Sequence, residues 1–221
     1  MGIVEESIKE SIDIWNQCVN TKFLVEMQNG SLKEEIFLKY LIQDSLYLRD
    51  YIKTYSYAFI GCNTWKQMKF VSSAINYVND NENLTRINYL KKFNVNDDDI
   101  DNMQKTKECE NYTKFLIDTG KSGDVPSILM AVLPCMLEYH YVFKKVSEKS
   151  PNLLNGYYSD LINDYINDNY VKVCEQWTNF TNDFCENSSK DKILKLKVIF
   201  REASMHELLF WEMLEEKDEP V

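Results

Sequence analysis

Only 6 glycines and 4 prolines punctuate the 221 residues of this chain. A many-stranded sheet needs a turn roughly every 8–12 residues, and each tight turn draws on residues that accept its dihedrals. This chain has too few of them. Hydrophobic residues make up 44% and aromatic residues 13%, which is too rich for disorder. No internal repeat, low-complexity linker or composition shift divides the sequence. The expectation is an all-α chain whose residues 1–221 form one domain.

Helical periodicity agrees with this. A first helix is expected from about Val4 to Asn20, with Ile8, Ile12, Trp15 and Val19 on one face. Asn29-Gly30 breaks the chain, and Ser31-Leu32-Lys33-Glu34 has the pattern of a capping box opening a long helix to about Ile60. Further helices are expected over about Trp65–Val78, Leu84–Phe93 and Ile100–Thr119, with Asn94–Asp99 as a polar loop whose Asp cluster also suits a helix N-terminus. Asp124 is a natural cap for a helix with Pro126 in its first turn, running to about Lys149. Helices over about Tyr157–Asn167, Asn169–Asn187 and from Ser188-Ser189 to about Glu216 complete an up-and-down bundle.

The net charge of −10 excludes nucleic acid as the main partner, because phosphate binding needs clustered cations. It equally disfavours an anionic membrane surface. Met1–Glu6 lacks the basic and apolar regions of a secretory signal, and no run reads as a membrane span. A cytoplasmic protein is expected, with its six cysteines as thiols.

Polar groups embedded in apolar stripes point to a site. Phe37, Tyr40, Asp44, Tyr47, Tyr51 and Tyr55 step by three or four and share a face. An ionised Asp44 there costs several kcal/mol unless it is paired. Cys135 lies on a face with Ile128, Val132, Tyr139 and Val142. It follows Pro134, whose missing N–H frees the Met130 carbonyl and should kink the helix. Glu207 stands among Phe200, Ala203, Phe210 and Leu214. Tyr112 accompanies Phe115 and Leu116, and Tyr165 accompanies Leu161 and Ile162. The bland alternatives are a satisfied core carboxylate, an inert buried thiol and structural tyrosines.

Three segments resemble the TenA family, also called thiaminase II or aminopyrimidine aminohydrolase. Phe37–Leu48 resembles the family's F-x-x-Y-x-x-Q-D-x-x-Y-L segment, Pro134–Tyr139 its P-C-x-x-x-Y segment, and Phe200–Trp211 its F-x-x-x-S-x-x-E-x-x-F-W segment. The resemblance spans about Glu5 to Glu215. It implies a haem-oxygenase-like helical bundle, usually a homotetramer, that needs no cofactor or metal. It also implies hydrolysis of 4-amino-5-aminomethyl-2-methylpyrimidine in thiamin salvage. By position, Cys135 would be the nucleophile, Asp44 would hold the amino group and a ring nitrogen, and Glu207 would be the acid/base. Tyr47, Tyr112, Tyr139, Tyr165 and Phe210 would line the pocket. The chain departs from the family with Leu161 where a Trp often stands, and with His206 where many members have Tyr.

The residue chemistry suits that role. An electron-poor pyrimidine is open to thiolate attack once a ring nitrogen is protonated, which a carboxyl with a raised pKa can do. A free thiol ionises near pH 8.5, so a nucleophilic cysteine needs a neighbouring base or donors. His140 lies about 140° round the helix from Cys135, and His206 is expected to face away from Glu207, so neither is assigned a catalytic role. A non-catalytic pyrimidine-binding or regulatory protein on the same fold is the alternative. A haem or di-iron bundle is disfavoured by the presence of only two histidines.

Overall fold

The computed structural model describes residues 2–77 and 83–215. It is built from helices α1 (Ile3–Cys18), α2 (Lys22–Asn29), α3 (Glu34–Ile60), α4 (Trp65–Tyr77), α5 (Asn83–Lys92), α6 (Asp97–Asp101) and α7 (Lys107–Ser122). A 3-10 turn (Pro151–Asn155) separates α8 (Val125–Lys149) from α9 (Ser159–Ile166), α10 (Asp168–Cys185) and α11 (Lys190–Glu212). No strand occurs among the described residues.

The caps explain most boundaries. Asp124 accepts from the Ser127 amide at 3.1 Å at the start of α8, Asn167 from Tyr170 at 2.9 Å at α10, and Ser189 from Lys192 at 3.2 Å at α11. Gly30, at φ 77°, closes α2 in the left-handed region that favours glycine. Several sequence expectations are corrected. Helix α2 falls in a stretch that the periodicity left unassigned. The capping box at Ser31 does not form, because the Ser31 amide and hydroxyl both donate to Asn29 Oδ1 and Lys33, at the cap position of α3, makes no capping hydrogen bond with its side chain. A reciprocal box forms instead between Asn96 and Asp99 and opens α6, whose first turn holds the Asp cluster expected to suit a helix N-terminus. The helix expected over Ile100–Thr119 is two helices, the second opened by Thr106, which accepts from the Cys109 amide at 3.2 Å. The expected ends at Val78 and Glu216 lie outside the described residues.

Helix α8 is the hub and packs against α11, α10, α3, α9, α7 and α1. It runs unbroken through Pro134. Contrary to the expectation that no run reads as a membrane span, α8 has the length and hydropathy of one, but 72% of its most apolar window is buried inside the bundle. Its apolarity thus belongs to the core. The Asp44 stripe of α3 is buried along its whole length, from Phe37 to Tyr55. On α1 the buried face runs through Val4, Ser7, Ser11, Trp15 and Cys18, leaving Ile8 and Ile12 at its margin. There Trp15 donates from its indole N–H to Ser204 Oγ at 3.1 Å, joining α1 to α11. Each fully buried aromatic contributes on the order of 1.5–3 kcal/mol, so rings dominate the packing energy of this bundle.

Candidate active site

The aromatic stripe of α3 meets α7, α8 and α11 in the middle of the bundle, where Tyr112, Tyr139 and Phe210 join it. Tyr47 packs its ring against Tyr112 at 4.8 Å, Tyr51 at 5.5 Å and Phe210 at 5.7 Å. Tyr112, fully buried on α7, donates from its hydroxyl to Glu207 Oε1 at 2.5 Å. The Cys135 sulfur lies close enough to Tyr47 and Tyr112 to oppose the ionisation of both phenols, as does Glu207. The nucleophile candidate, one acid and two tyrosines thus form one electrostatic cluster.

The second acid, Asp44, is coupled to Glu207 and Tyr139. Burial pushes the Asp44 carboxyl up to about 6, and the Arg86 guanidinium holds it from going higher. Arg86 also donates to Ser45 Oγ. Burial raises Glu207 well above the usual carboxylate range, and the neighbouring Glu138 and Asp44 add to the rise while the Tyr112 hydrogen bond opposes it. Tyr139 feels both Asp44 and Glu207. Its ring packs on Trp211 at 4.9 Å and Tyr165 at 5.0 Å, and Tyr165 stacks on Phe143 at 5.2 Å. Every residue singled out in the sequence therefore belongs to one connected region. Asp44 is raised with a cation beside it, whereas Glu207 is raised with other acids beside it, an asymmetry that allows two carboxyl groups to play different roles.

A cavity of about 170 Å³ adjoins this region. Its walls include Cys135, Met136, Tyr51, Tyr55, Phe70 and Trp177, but none of Asp44, Tyr47, Tyr112, Tyr139, Glu207 or Phe210. Cys135, half-buried, stands between that cavity and the acid cluster. Among the described residues no group of three or more His, Cys, Asp and Glu side chains could hold a metal ion.

Sequence reasoning missed two neighbours. His206 was expected to face away. Instead its ring stacks on Tyr112 at 5.1 Å with 6° between the planes, and burial lowers its pKa. Glu138, one residue before Tyr139, is completely buried. The sequence held one hint, the unbroken apolar run Ile128–Pro134 ahead of it, which periodicity does not resolve into faces. His140, in contrast, bonds through Nδ1 to the Tyr165 carbonyl at 2.8 Å and so pins the end of α9 to α8.

The fold and these groups define a helical bundle with a half-buried thiol, two buried acids and an aromatic lining. The model of the TENA/THI-4/PQQC family matches residues 8–217, and the chain belongs to that family. It is 28% identical over 214 residues to an aminopyrimidine aminohydrolase of Helicobacter pylori, covering 96% of this chain and 98% of that protein. Among solved structures, a TenA family transcription regulator from Silicibacter sp. TM1040 superposes with a TM-score of 0.86 at 24% identity, covering 96% of each chain. A domain of unknown function with a heme oxygenase-like fold from Shewanella denitrificans superposes with a TM-score of 0.75 at 11% identity, covering 96% of this chain and 91% of that one. The all-α, haem-oxygenase-like bundle expected from the sequence is the fold observed.

Proposed function

We propose that this chain is an aminopyrimidine aminohydrolase that converts 4-amino-5-aminomethyl-2-methylpyrimidine to the hydroxymethylpyrimidine in thiamin salvage. The observation that carries this reading is the pair of buried acids with unlike surroundings, Asp44 beside Arg86 and pushed up to about 6, and Glu207 near Glu138 and Asp44 and raised well above the usual carboxylate range, around a tyrosine cluster that includes Cys135. The Helicobacter relative that bears the activity's name supports it.

In this reading the substrate binds with the ring nitrogen beside its 4-amino group protonated from solvent, and the ionised Asp44 accepts hydrogen bonds from that N–H and from the amino group. The ring thereby becomes a better electrophile, and the Cys135 thiolate adds to a ring carbon. Electrons return through the ring to break the bond between the exocyclic methylene and the amine. Glu207 supplies the proton that the amine takes as it leaves. Water then adds at the methylene and returns a proton to Glu207, and the thiolate is expelled. The substrate and water become the alcohol and ammonia, and the enzyme is restored. Tyr47, Tyr112, Tyr139, Tyr165 and Phe210 stack on and enclose the flat ring, which enters by displacing ring–ring contacts on the acid side of Cys135. No metal or cofactor takes part.

The same reading makes the chain a cytoplasmic homotetramer. Leu194, Val198, Met205 and Leu209 lie 64%, 64%, 40% and 37% exposed along one face of α11, an apolar stripe suited to self-association. Sedimentation at four times the chain mass is expected, and a monomer would contradict it.

The activity is tested by ammonia release from the aminomethylpyrimidine and from thiamin, using the parent and C135S. Turnover of the former, lost in C135S while binding of the hydroxymethyl product persists, is the expected result. Tight binding without turnover by the parent would favour a pyrimidine-binding or regulatory protein.

A further inference from the structure

Glu138 has no part in the mechanism above, yet it adjoins Glu207, one of the groups that carry it. It lies on α8, one turn beyond Cys135, and is 0% exposed. Helix α1 presents the Cys18 thiol to its carboxyl, and α11 presents Glu207 and the Trp211 indole. Asp44 of α3 and Tyr112 of α7 reach this group through Glu207. None of these groups is a cation. Neither Glu138 oxygen nor the Trp211 N–H completes a hydrogen bond among the described residues. A Met or Leu would fill this space without the penalty of desolvating a carboxyl. The one feature of the environment that an apolar side chain could not serve is the second buried acid, Glu207.

We propose that Glu138 is a positioning residue for proton transfer, whose carboxyl shares a cation-free chamber with that of Glu207 and keeps Glu207 in its proton-donating form. The inference rests on the reading of Glu207 as the acid that protonates the leaving amine.

Two carboxyl groups in one poorly solvated site do not readily ionise together, and their protons leave in two coupled steps. Burial pushes Glu138 up to about 8 and raises Glu207 well above the usual carboxylate range, with Glu138 and Asp44 adding to the rise. The charge of whichever carboxyl ionises first opposes loss of the remaining proton, so the pair holds a proton for Glu207 to donate at a higher pH than Glu207 alone would sustain. Cys18 adds no charge, because burial and the two acids push its thiol far up.

The test compares the parent with E138Q, E138M and E207Q. It uses the pH dependence of kcat/KM for ammonia release, with 13C-glutamate spectra following the Glu207 carboxyl independently of turnover. Removing the Glu138 charge is expected to move the alkaline limb, and the Glu207 titration, to lower pH by about one pH unit. Activity one unit above the new limb then falls about fivefold below the parent. E138M, apolar and similar in length, supplies folded protein should the buried amide of E138Q be poorly tolerated. An inactive E207Q beside Glu138 variants whose limb and carboxyl titration do not move overturns the role of Glu138 and leaves that of Glu207 intact. Glu138 variants that lose activity equally at every pH mark a merely structural residue and overturn it too. An E207Q protein as active as the parent overturns the reading of Glu207 and this inference with it.

Discussion

Replacing Glu138 with Met is expected to make the protein more stable, by an amount that depends on pH. In the unfolded chain this carboxyl ionises near the ordinary value of 4.5, whereas in the fold it holds its proton to about 8. Between those values the unfolded state is charged and the folded state is not, so folding must take up a proton. The resulting penalty is absent well below pH 4.5, grows by about 1.36 kcal/mol per pH unit and levels off above pH 8. At pH 7 it amounts to about 3 kcal/mol. Met has no such penalty and follows the unbranched path of the Glu side chain. At roughly 2–4 °C per kcal/mol for a chain of this size, E138M should melt about 6–12 °C above the parent at pH 7. Near pH 4 the two should differ only by packing. Scanning calorimetry at pH 4, 5.5, 7 and 8 reads the trend. A gain that is the same at pH 4 and pH 7, or a loss at pH 7, would refute the reasoning.

Three further outcomes are expected. Y112F removes the 2.5 Å hydrogen bond to Glu207 and leaves a buried acceptor unmet. It should cost about 1–3 kcal/mol in urea unfolding and raise the Glu207 titration further, and an unchanged midpoint would contradict this. G120A should destabilise despite the roughly 0.8–1.0 kcal/mol gain in helix propensity, because the new Cβ meets Tyr57 Cδ2 at 2.6 Å and overpacking costs about 1–3 kcal/mol; a higher melting temperature would show that α3 and α7 separate freely. R86Q takes away the cation that holds Asp44 down. Asp44 should then protonate at higher pH, moving the acidic limb of turnover upward, and an unmoved limb would remove Asp44 from the titrating groups.

The sequence made the site more legible than the course of the chain. Tyr47, Tyr51 and Tyr55 repeat with Asp44 at helical spacing, and no other arrangement puts them on one face, so the α3 stripe followed from geometry alone. Glu207 was readable for the same reason. The split between α6 and α7 was not, because Asn102–Thr106 is as polar as the outer face of a helix and its break depends on the Thr106 cap. Ser31 fits a capping pattern, but Asn29, two residues earlier, accepts its hydrogen bonds instead. His206 and Glu138 were hidden by a different cause. Periodicity sorts residues into faces, whereas α8 and α11 cross so closely that positions beside the main stripe are also buried. Whether a polar residue there is solvated or enclosed is decided by the neighbouring helix.

A crystal structure of the protein with 4-amino-5-hydroxymethyl-2-methylpyrimidine addresses the central claim most directly. The account predicts the ring sandwiched among Tyr47, Tyr112, Tyr139 and Phe210, its amino group on the Asp44 carboxylate and its hydroxymethyl oxygen on Glu207, with Cys135 Sγ facing a ring carbon. A ring lodged instead in the cavity between Tyr51, Phe70 and Trp177, with Asp44 and Glu207 untouched, would contradict it.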